Sequence, residues 1–184
     1  LPLLVEALAR KIPLINDSQI FLEQAPCKVI GITGSAGKTT TTTLVGRMAE
    51  AACDLQPPIF RRAWTGGNIG NPLITDVDQM MVDDIAVMEL SSFQLDVMTR
   101  SPQVAAVLNI TPNHLDRHGT MQAYTTAKAR ILKYQTPGDV VILGRDDPGA
   151  WELADSLRGG CISFGRQRPP EGQPGIFLHG EWIS

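Results

Sequence analysis

The sequence predicts an α/β fold: a mostly parallel sheet flanked by helices. Three observations carry that prediction. Short β-branched runs alternate with helical patterns from residue 27 onward. The first such run passes into a small-residue turn that opens a helix. Polar and titratable residues then crowd directly behind the ends of later runs, where a parallel sheet places function.

In chain order, Leu1–Pro26 reads as two short helices, the second capped near Asp17 or Ser18 ahead of Ile20, Phe21 and Leu22. Pro26 ends this stretch. Expected strands are Val29–Thr33, Ile85–Glu89, Val104–Ile110 and Val140–Leu143, with Cys161–Phe164 a weaker fifth. Helices are expected at Lys38–Ala52, Met121–Tyr134 and Ala150–Leu157. The segment Asp54–Asn71, with Pro57, Pro58, Gly66, Gly67 and Gly70, reads as a loop, and Arg61-Arg62-Ala63-Trp64 within it as an exposed stretch without a role. The last apolar residues suggest a hairpin turning near His179–Gly180. No terminal helix closes the unit after it.

Length and charge set bounds. The 184 residues fit one domain, with room for part of a second, and bury about 70% of the unfolded surface. A net charge of −3 argues against nucleic acid as an electrostatic partner. It leaves a phosphate ligand open, because backbone N–H groups and one lysine suffice to hold one. Cys27, Cys53 and Cys161 form no C-x-x-C pair and are odd in number. A disulfide framework or zinc site is not expected, and a reducing cytoplasm is. No apolar run nears the ~20 residues a membrane span needs, and Glu6, Arg10 and Lys11 interrupt any signal-peptide pattern. A first residue other than Met points to a partial or processed chain.

The strongest motif is the turn after Val29–Thr33, namely Gly34-Ser35-Ala36-Gly37-Lys38-Thr39-Thr40. Glycines let the chain curl until successive N–H groups face a polyphosphate, and the following helix adds its positive end. Lys38 can reach the β/γ-phosphates and the Thr39 hydroxyl can hold Mg²⁺. The general P-loop pattern wants glycine where Ile32 stands, so this is a shorter T-G-x-x-G-K-T variant.

Three further stretches follow strand ends or helices. In Glu89-Leu90-Ser91-Ser92-Phe93-Gln94 a carboxylate closes an apolar strand. With a phosphate loop in the same sheet, Glu89 becomes a Mg²⁺ ligand candidate, since that ion takes hard oxygen donors. In Asn109-Ile110-Thr111-Pro112-Asn113-His114-Leu115-Asp116-Arg117-His118 two histidines stand four apart. Pro112 and Gly119 leave little helix between them, so one histidine beside the phosphates is expected rather than a zinc pair. In Tyr124-Thr125-Thr126-Ala127-Lys128 the lysine cannot be told by pattern from Lys133. Asn68, in Gly66-Gly67-Asn68-Ile69-Gly70, either bonds a ligand or tolerates the left-handed conformation.

Together, from Lys28 to about Gly165, these segments resemble the Mur ligase family. Five motifs in order carry the resemblance: T-G-S-A-G-K-T, G-N-I-G, E-L-S-S-F-Q-L, N-I-T-P-N-H-L-D-R-H and Y-x-x-A-K-x-x-I. The third favours the member that adds D-glutamate to UDP-N-acetylmuramoyl-L-alanine in peptidoglycan synthesis. The resemblance implies an ATP-dependent acid–amino-acid ligase working through an acyl phosphate. It further implies Lys38 on the transferring phosphoryl group, Thr39 and Glu89 on one Mg²⁺, and His114 with a carbamylated Lys128 on a second. Asn68, Ser91 and Gln94 would contact the UDP-sugar substrate. Carbamylation needs a neutral amine, which for an ordinary lysine at pH 7 is about one molecule in a few thousand. The family commonly carries Asn where Ala36 stands, so a loop-stabilising hydrogen bond is expected to be lost.

The same resemblance reads residues 1–26 as the tail of an N-terminal UDP-binding domain with its linker, and 27–184 as part of the central ATP-binding domain. A C-terminal domain would be absent, and this stretch alone inactive. The rival readings are a sister Mur ligase or a folylpolyglutamate-type synthetase, a phosphoryl-transfer kinase, and a P-loop module that binds nucleotide without catalysis.

Overall fold

The computed structural model describes residues 2–157, 160–180 and 182–184. Two short helices, α1 (Pro2–Ala9) and α2 (Asp17–Gln24), precede the sheet. The cap of α2 lies one residue earlier than expected: the Asn16 side chain accepts the Gln19 N–H, satisfying a donor the helix leaves orphaned. Ser18, Gln19 and Phe21 of α2 are buried, so this helix belongs to the packed body.

Strand β1 (Lys28–Thr33) leads through the glycine-rich turn into α3 (Lys38–Cys53). The expected loop over 54–71 instead contains a strand, β2 (Ala63–Gly67), paired in parallel with β3 (Ile85–Glu89). Gly66 and Gly67 are there for close approach rather than for a turn. A Cβ on Gly67 would lie 2.5 Å from the Glu89 carbonyl oxygen, and one on Gly66 equally close to that of Asn71. Nor is the basic stretch idle. Arg61 donates from Nε and Nη2 to both oxygens of buried Asp84, each at 2.7 Å. Trp64 Nε1 donates to the same carboxylate at 2.9 Å, and Arg62 lies 3.8 Å above the Trp64 ring. One carboxylate thus pins the edge strand to the turn before β3.

A 3₁₀ turn (Leu73–Gln79) lies between β2 and β3, and a short helix, α4 (Ser92–Val97), follows β3. Strand β4 (Val104–Val107) ends three residues sooner than expected, because residues 108–111 bend to bond with the glycine-rich turn. Then come α5 (Leu115–His118), α6 (Met121–Lys133) and β5 (Val140–Gly144). Helix α7 (Pro148–Trp151) begins two residues ahead of expectation, with Asp147 as its cap and Pro148 in its first turn, and passes into a 3₁₀ turn (Glu152–Ser156). Strand β6 (Gly160–Gly165) precedes the hairpin β7 (Gly175–His179) and β8 (Trp182–Ile183), which reverses at left-handed Gly180 as the sequence suggested.

The sheet order is β2-β3-β1-β4-β5-β6-β7-β8, parallel as far as β7 and antiparallel at β8. Strand β3 shows the two-residue period plainly. Ala86 and Met88 join the larger core with Phe21, Leu95, Tyr124 and Ile131, under α2, α4 and α6. Ile85 and Val87 join Ile32, Ala49 and Ala106 on the other face, under α3. Each fully buried large side chain contributes on the order of 1.5–3 kcal/mol. The chain leaves β1 on one side toward β2 and returns after β3 to the other side as β4. The carboxyl end of β1 is therefore the switch point, where open α/β sheets bind ligands.

Candidate active site

Gly37 holds the turn with φ +80, a conformation that favours glycine, and caps α3. The Thr41 N–H bonds the Gly37 carbonyl at 3.0 Å. The N–H groups of Lys38, Thr39 and Thr40 therefore precede the first intrahelical bond and have no acceptor within the helix. Lys38 is half-buried beside them, and Thr39 and Thr40 are exposed.

The turn rests on residues that follow β4. Leu108 N donates to Thr33 O and Ser35 N to Asn109 O, each at 2.9 Å. The buried Ser35 hydroxyl donates to Thr111 O at 2.9 Å, accepts Thr111 N at 2.9 Å, and lies 3.0 Å from the Tyr124 hydroxyl. The Asn109 side chain pairs with both polar groups of the Ala36 backbone: Oδ1 accepts its N–H at 2.9 Å and Nδ2 donates to its carbonyl at 3.1 Å. The expected loss of a loop-stabilising bond at Ala36 therefore leaves its backbone held from outside. Asn109 opens the N-I-T-P-N-H-L-D-R-H motif, but the sequence assigns it no role, since an asparagine after a strand looks like any solvated loop residue.

Glu89 ends β3 and is 1% exposed. Thr39 Oγ1 donates to its Oε2 and Asn68 Nδ2 to its Oε1, each at 2.9 Å, and Asn68 N bonds its carbonyl at 3.0 Å. All of these donors are neutral. The ion pairs among the described residues, Arg10–Glu6 and Arg61–Asp84, leave Glu89 without a cation. A buried carboxylate with no positive partner, beside a hydroxyl at the mouth of a phosphate loop, is a donor set that fits a divalent ion.

Lys128 is also 1% exposed. Its Nζ donates to Gly34 O at 2.8 Å, lies 3.4 Å from Thr33 Oγ1, and sits 4.8 Å over the Tyr124 ring. Burial, and then the charge of Lys38, hold its pKa down to about 7. Lys133 is exposed. A sequence signal separating the two did exist: Lys128 falls on the buried stripe Tyr124, Ala127, Lys128, Ile131, the face that packs inward.

Other expected residues are differently engaged. Ser91 caps α4 in a reciprocal box with Gln94, and Gln94 Nε2 also donates to Ser18 Oγ at 2.8 Å. His114 is exposed, has φ +51, and meets Phe93 edge-on with ring centres 5.4 Å apart. His118 stacks on Phe93 at 5.1 Å and shares a hydrogen bond with Ser92 Oγ at 3.0 Å. Both histidines thus contact the same aromatic ring. Among the described residues no cluster of three or more His, Cys, Asp or Glu could hold a metal, and no hydrogen bond joins His114 to Thr39, Glu89 or Lys128.

A parallel sheet whose first strand feeds a Gly-Lys-Thr turn at the switch point, facing a buried carboxylate, defines a P-loop α/β protein. Within that class, residues 32–171 match the Mur ligase middle domain, and the chain belongs to the Mur ligase family. The UDP-N-acetylmuramoylalanine–D-glutamate ligase of Symbiobacterium thermophilum is 41% identical over 178 residues, 97% of this chain and 38% of that protein. The ligase of the same name from Pelotomaculum thermopropionicum is 41% identical over 187 aligned positions, covering 99% of this chain and 39% of that one. The chain thus spans under two fifths of the length of these relatives. MurF from Acinetobacter baumannii superposes with a TM-score of 0.58 at 26% identity, over 86% of this chain and 34% of that one. The MurF ligase of Thermotoga maritima in complex with ADP shares the fold, with a TM-score of 0.61 at 22% identity over 82% of this chain and 35% of that one. Among the described residues no helix is long and apolar enough to cross a membrane.

Proposed function

We propose that the complete gene product is the ATP-dependent ligase that joins D-glutamate to UDP-N-acetylmuramoyl-L-alanine in peptidoglycan synthesis, and that this stretch is its central ATP-binding part. The observation that carries the reading is the bond from Thr39 Oγ1 to buried Glu89 at 2.9 Å, which aligns a phosphate loop with an uncompensated carboxylate. Relatives named for that reaction, at 41% identity over nearly the whole chain, support the choice of substrates. Dependence on ATP and on a nucleotide-sugar acceptor puts the reaction in the cytoplasm. Residues 1–26 are read as the tail of a preceding UDP-binding domain and its linker.

In this reading the free N–H groups of Lys38, Thr39 and Thr40 and the Lys38 ammonium hold the β- and γ-phosphates. The terminal phosphoryl group passes to the acceptor carboxylate: a P–O bond forms to the carboxylate oxygen, and the bond to ADP breaks. The amine of D-glutamate then attacks the acyl carbon, phosphate departs, and the amine loses a proton as the amide forms. The work of the chain is alignment and charge neutralisation rather than covalent chemistry. Thr39 and Glu89 would hold one Mg²⁺, and His114 with Lys128 as its carbamate a second. Bound magnesium would supply the positive charge that offsets the phosphates. Burial favours the Lys128 modification, because near neutral pH much of a lysine with a pKa of about 7 is the amine that adds to CO₂ with loss of a proton. Asn68, Ser91 and Gln94 line the approach for the UDP-sugar substrate. In this structure their polar atoms bond Glu89, Ser18 and one another, so substrate contact requires exchanging some of those bonds.

The test is ADP release by the complete gene product with UDP-N-acetylmuramoyl-L-alanine and, separately, D-glutamate, L-lysine, diaminopimelate or L-alanine. Release with D-glutamate alone, abolished in Lys38→Ala, is the expected result. Stimulation by another amino acid would move the protein to a sister ligase. Binding of nucleotide with no amine-dependent turnover would overturn the ligase reading.

A further inference from the structure

Ala36 carries no functional side chain, yet both polar groups of its backbone are bound by a single carboxamide 73 residues away. The Ala36 bonds are exposed, so water could satisfy the same groups if Asn109 were absent. What the carboxamide adds is therefore geometry rather than hydrogen-bond satisfaction. It fixes the two peptide planes on either side of Ala36, directly before left-handed Gly37, where the loop must turn to point the next three N–H groups outward.

The neighbouring anchors are independent of that side chain. Ser35 N bonds the Asn109 carbonyl, and Ser35 Oγ is tied to Thr111 and Tyr124. Removing the carboxamide leaves those bonds in place and frees only the exposed crest at Ala36–Gly37. Because Asn109 occupies the Ala36 N–H, that donor is withdrawn from the set that could face a phosphate. The set begins at Gly37.

We infer that Asn109 is a positioning residue for the nucleotide: its side chain sets the crest of the phosphate loop, and so the affinity for the polyphosphate, without touching substrate. The inference rests on the nucleotide reading above. Freeing the crest makes the loop reorder on binding, a cost that falls on nucleotide affinity alone.

The experiment is calorimetric titration of the complete gene product, wild type, Asn109→Ala and Asn109→Asp, with β,γ-imido-ATP and Mg²⁺, and separately with UDP-N-acetylmuramoyl-L-alanine. Asn109→Ala should weaken the nucleotide about ten-fold, equivalent to 1.4 kcal/mol. Asn109→Asp keeps the shape but turns a charged oxygen toward the Ala36 carbonyl, and should weaken it further. Affinity for the UDP substrate and the thermal midpoint should not move, and in turnover the KM for ATP should rise more than kcat falls. Wild-type nucleotide affinity in both variants overturns the inference. So does a parallel loss for both ligands with a lowered midpoint, which would mark a purely structural residue. If the wild type itself fails to bind nucleotide, the underlying reading falls and takes this one with it.

Discussion

Lys128 Nζ donates to the carbonyl of Gly34 at 2.8 Å, so an amine on α6 is held under the floor of the phosphate loop. No carboxylate shares that pocket among the ion pairs of the described residues, and the ammonium is almost wholly buried. Charging the amine there costs stability, which is why burial holds its pKa down to about 7.

Two opposed effects should follow from replacing it. Lys128→Met, of similar length and without charge, should raise the thermal midpoint of the nucleotide-free protein while lowering ligase turnover by about 100-fold or more. Calorimetry and an ADP-release assay read the two effects. A carbon-13 carbamate signal from labelled bicarbonate, present in the wild type and missing in the variant, identifies the modified form. Lowered stability together with full turnover would dismiss both roles.

Glu89→Gln keeps the hydrogen-bonding shape but removes the charge. It should weaken nucleotide binding by about ten-fold or more in the presence of Mg²⁺ and leave binding in EDTA nearly unchanged. The comparison isolates the ion, since the amide oxygen can still accept from Asn68 Nδ2 while its NH2 donates to the Thr39 hydroxyl, which can turn to accept. Equal losses with and without magnesium would remove Glu89 from the ion site.

Asp84 should govern acid stability at the sheet edge. Burial alone would raise its pKa, but Arg61, the Trp64 N–H and the Met81 N–H together outweigh burial and hold it below the usual carboxylate value. With a folded pKa below the unfolded one, its stabilisation is complete above roughly pH 4 and is lost as pH falls through the folded value. Asp84→Asn should cost about 1.5–3 kcal/mol, the range for hydrogen bonds to a charged group, with no stranded buried charge to add, because Arg61 is 41% exposed and returns to water. Acid and urea titrations that superpose on the wild type would refute this.

Gly67→Ala should also destabilise. The position has φ +106, and a Cβ would lie 2.5 Å from Glu89 O. Relief requires moving β2 away from β3, which carries Asn68 off Glu89. The expected cost is about 1–3 kcal/mol, with weaker magnesium-dependent nucleotide binding, both measurable on the same purified variant.

Much of this was legible in the sequence, and for physical reasons. Val29–Thr33, Ile85–Glu89 and Val140–Leu143 read as strands because buried parallel strands are continuous apolar runs. The Gly-Lys-Thr turn announced itself by type and place. Strand β2 did not, because Gly66 and Gly67 serve close packing and look identical to turn glycines on paper. Asn109 and Asp84 were equally silent: each acts on partners far along the chain, and nothing in the local pattern names those partners. The spacing of His114 and His118 likewise did not show that both rings meet Phe93, a residue on a different element.

The switch-point position of the phosphate loop has a consequence for biosynthesis. The bonds that shape it come from residues 57 to 95 positions downstream, the farthest from Lys128 to Thr33 and Gly34. At about 5–20 residues per second, the ribosome delivers Lys128 roughly 5–20 s after Gly34. During that interval the nascent chain displays a Gly-Lys-Thr turn whose final supports have yet to emerge. The loop is thus made well before the residues that shape it, and its final form waits on α6.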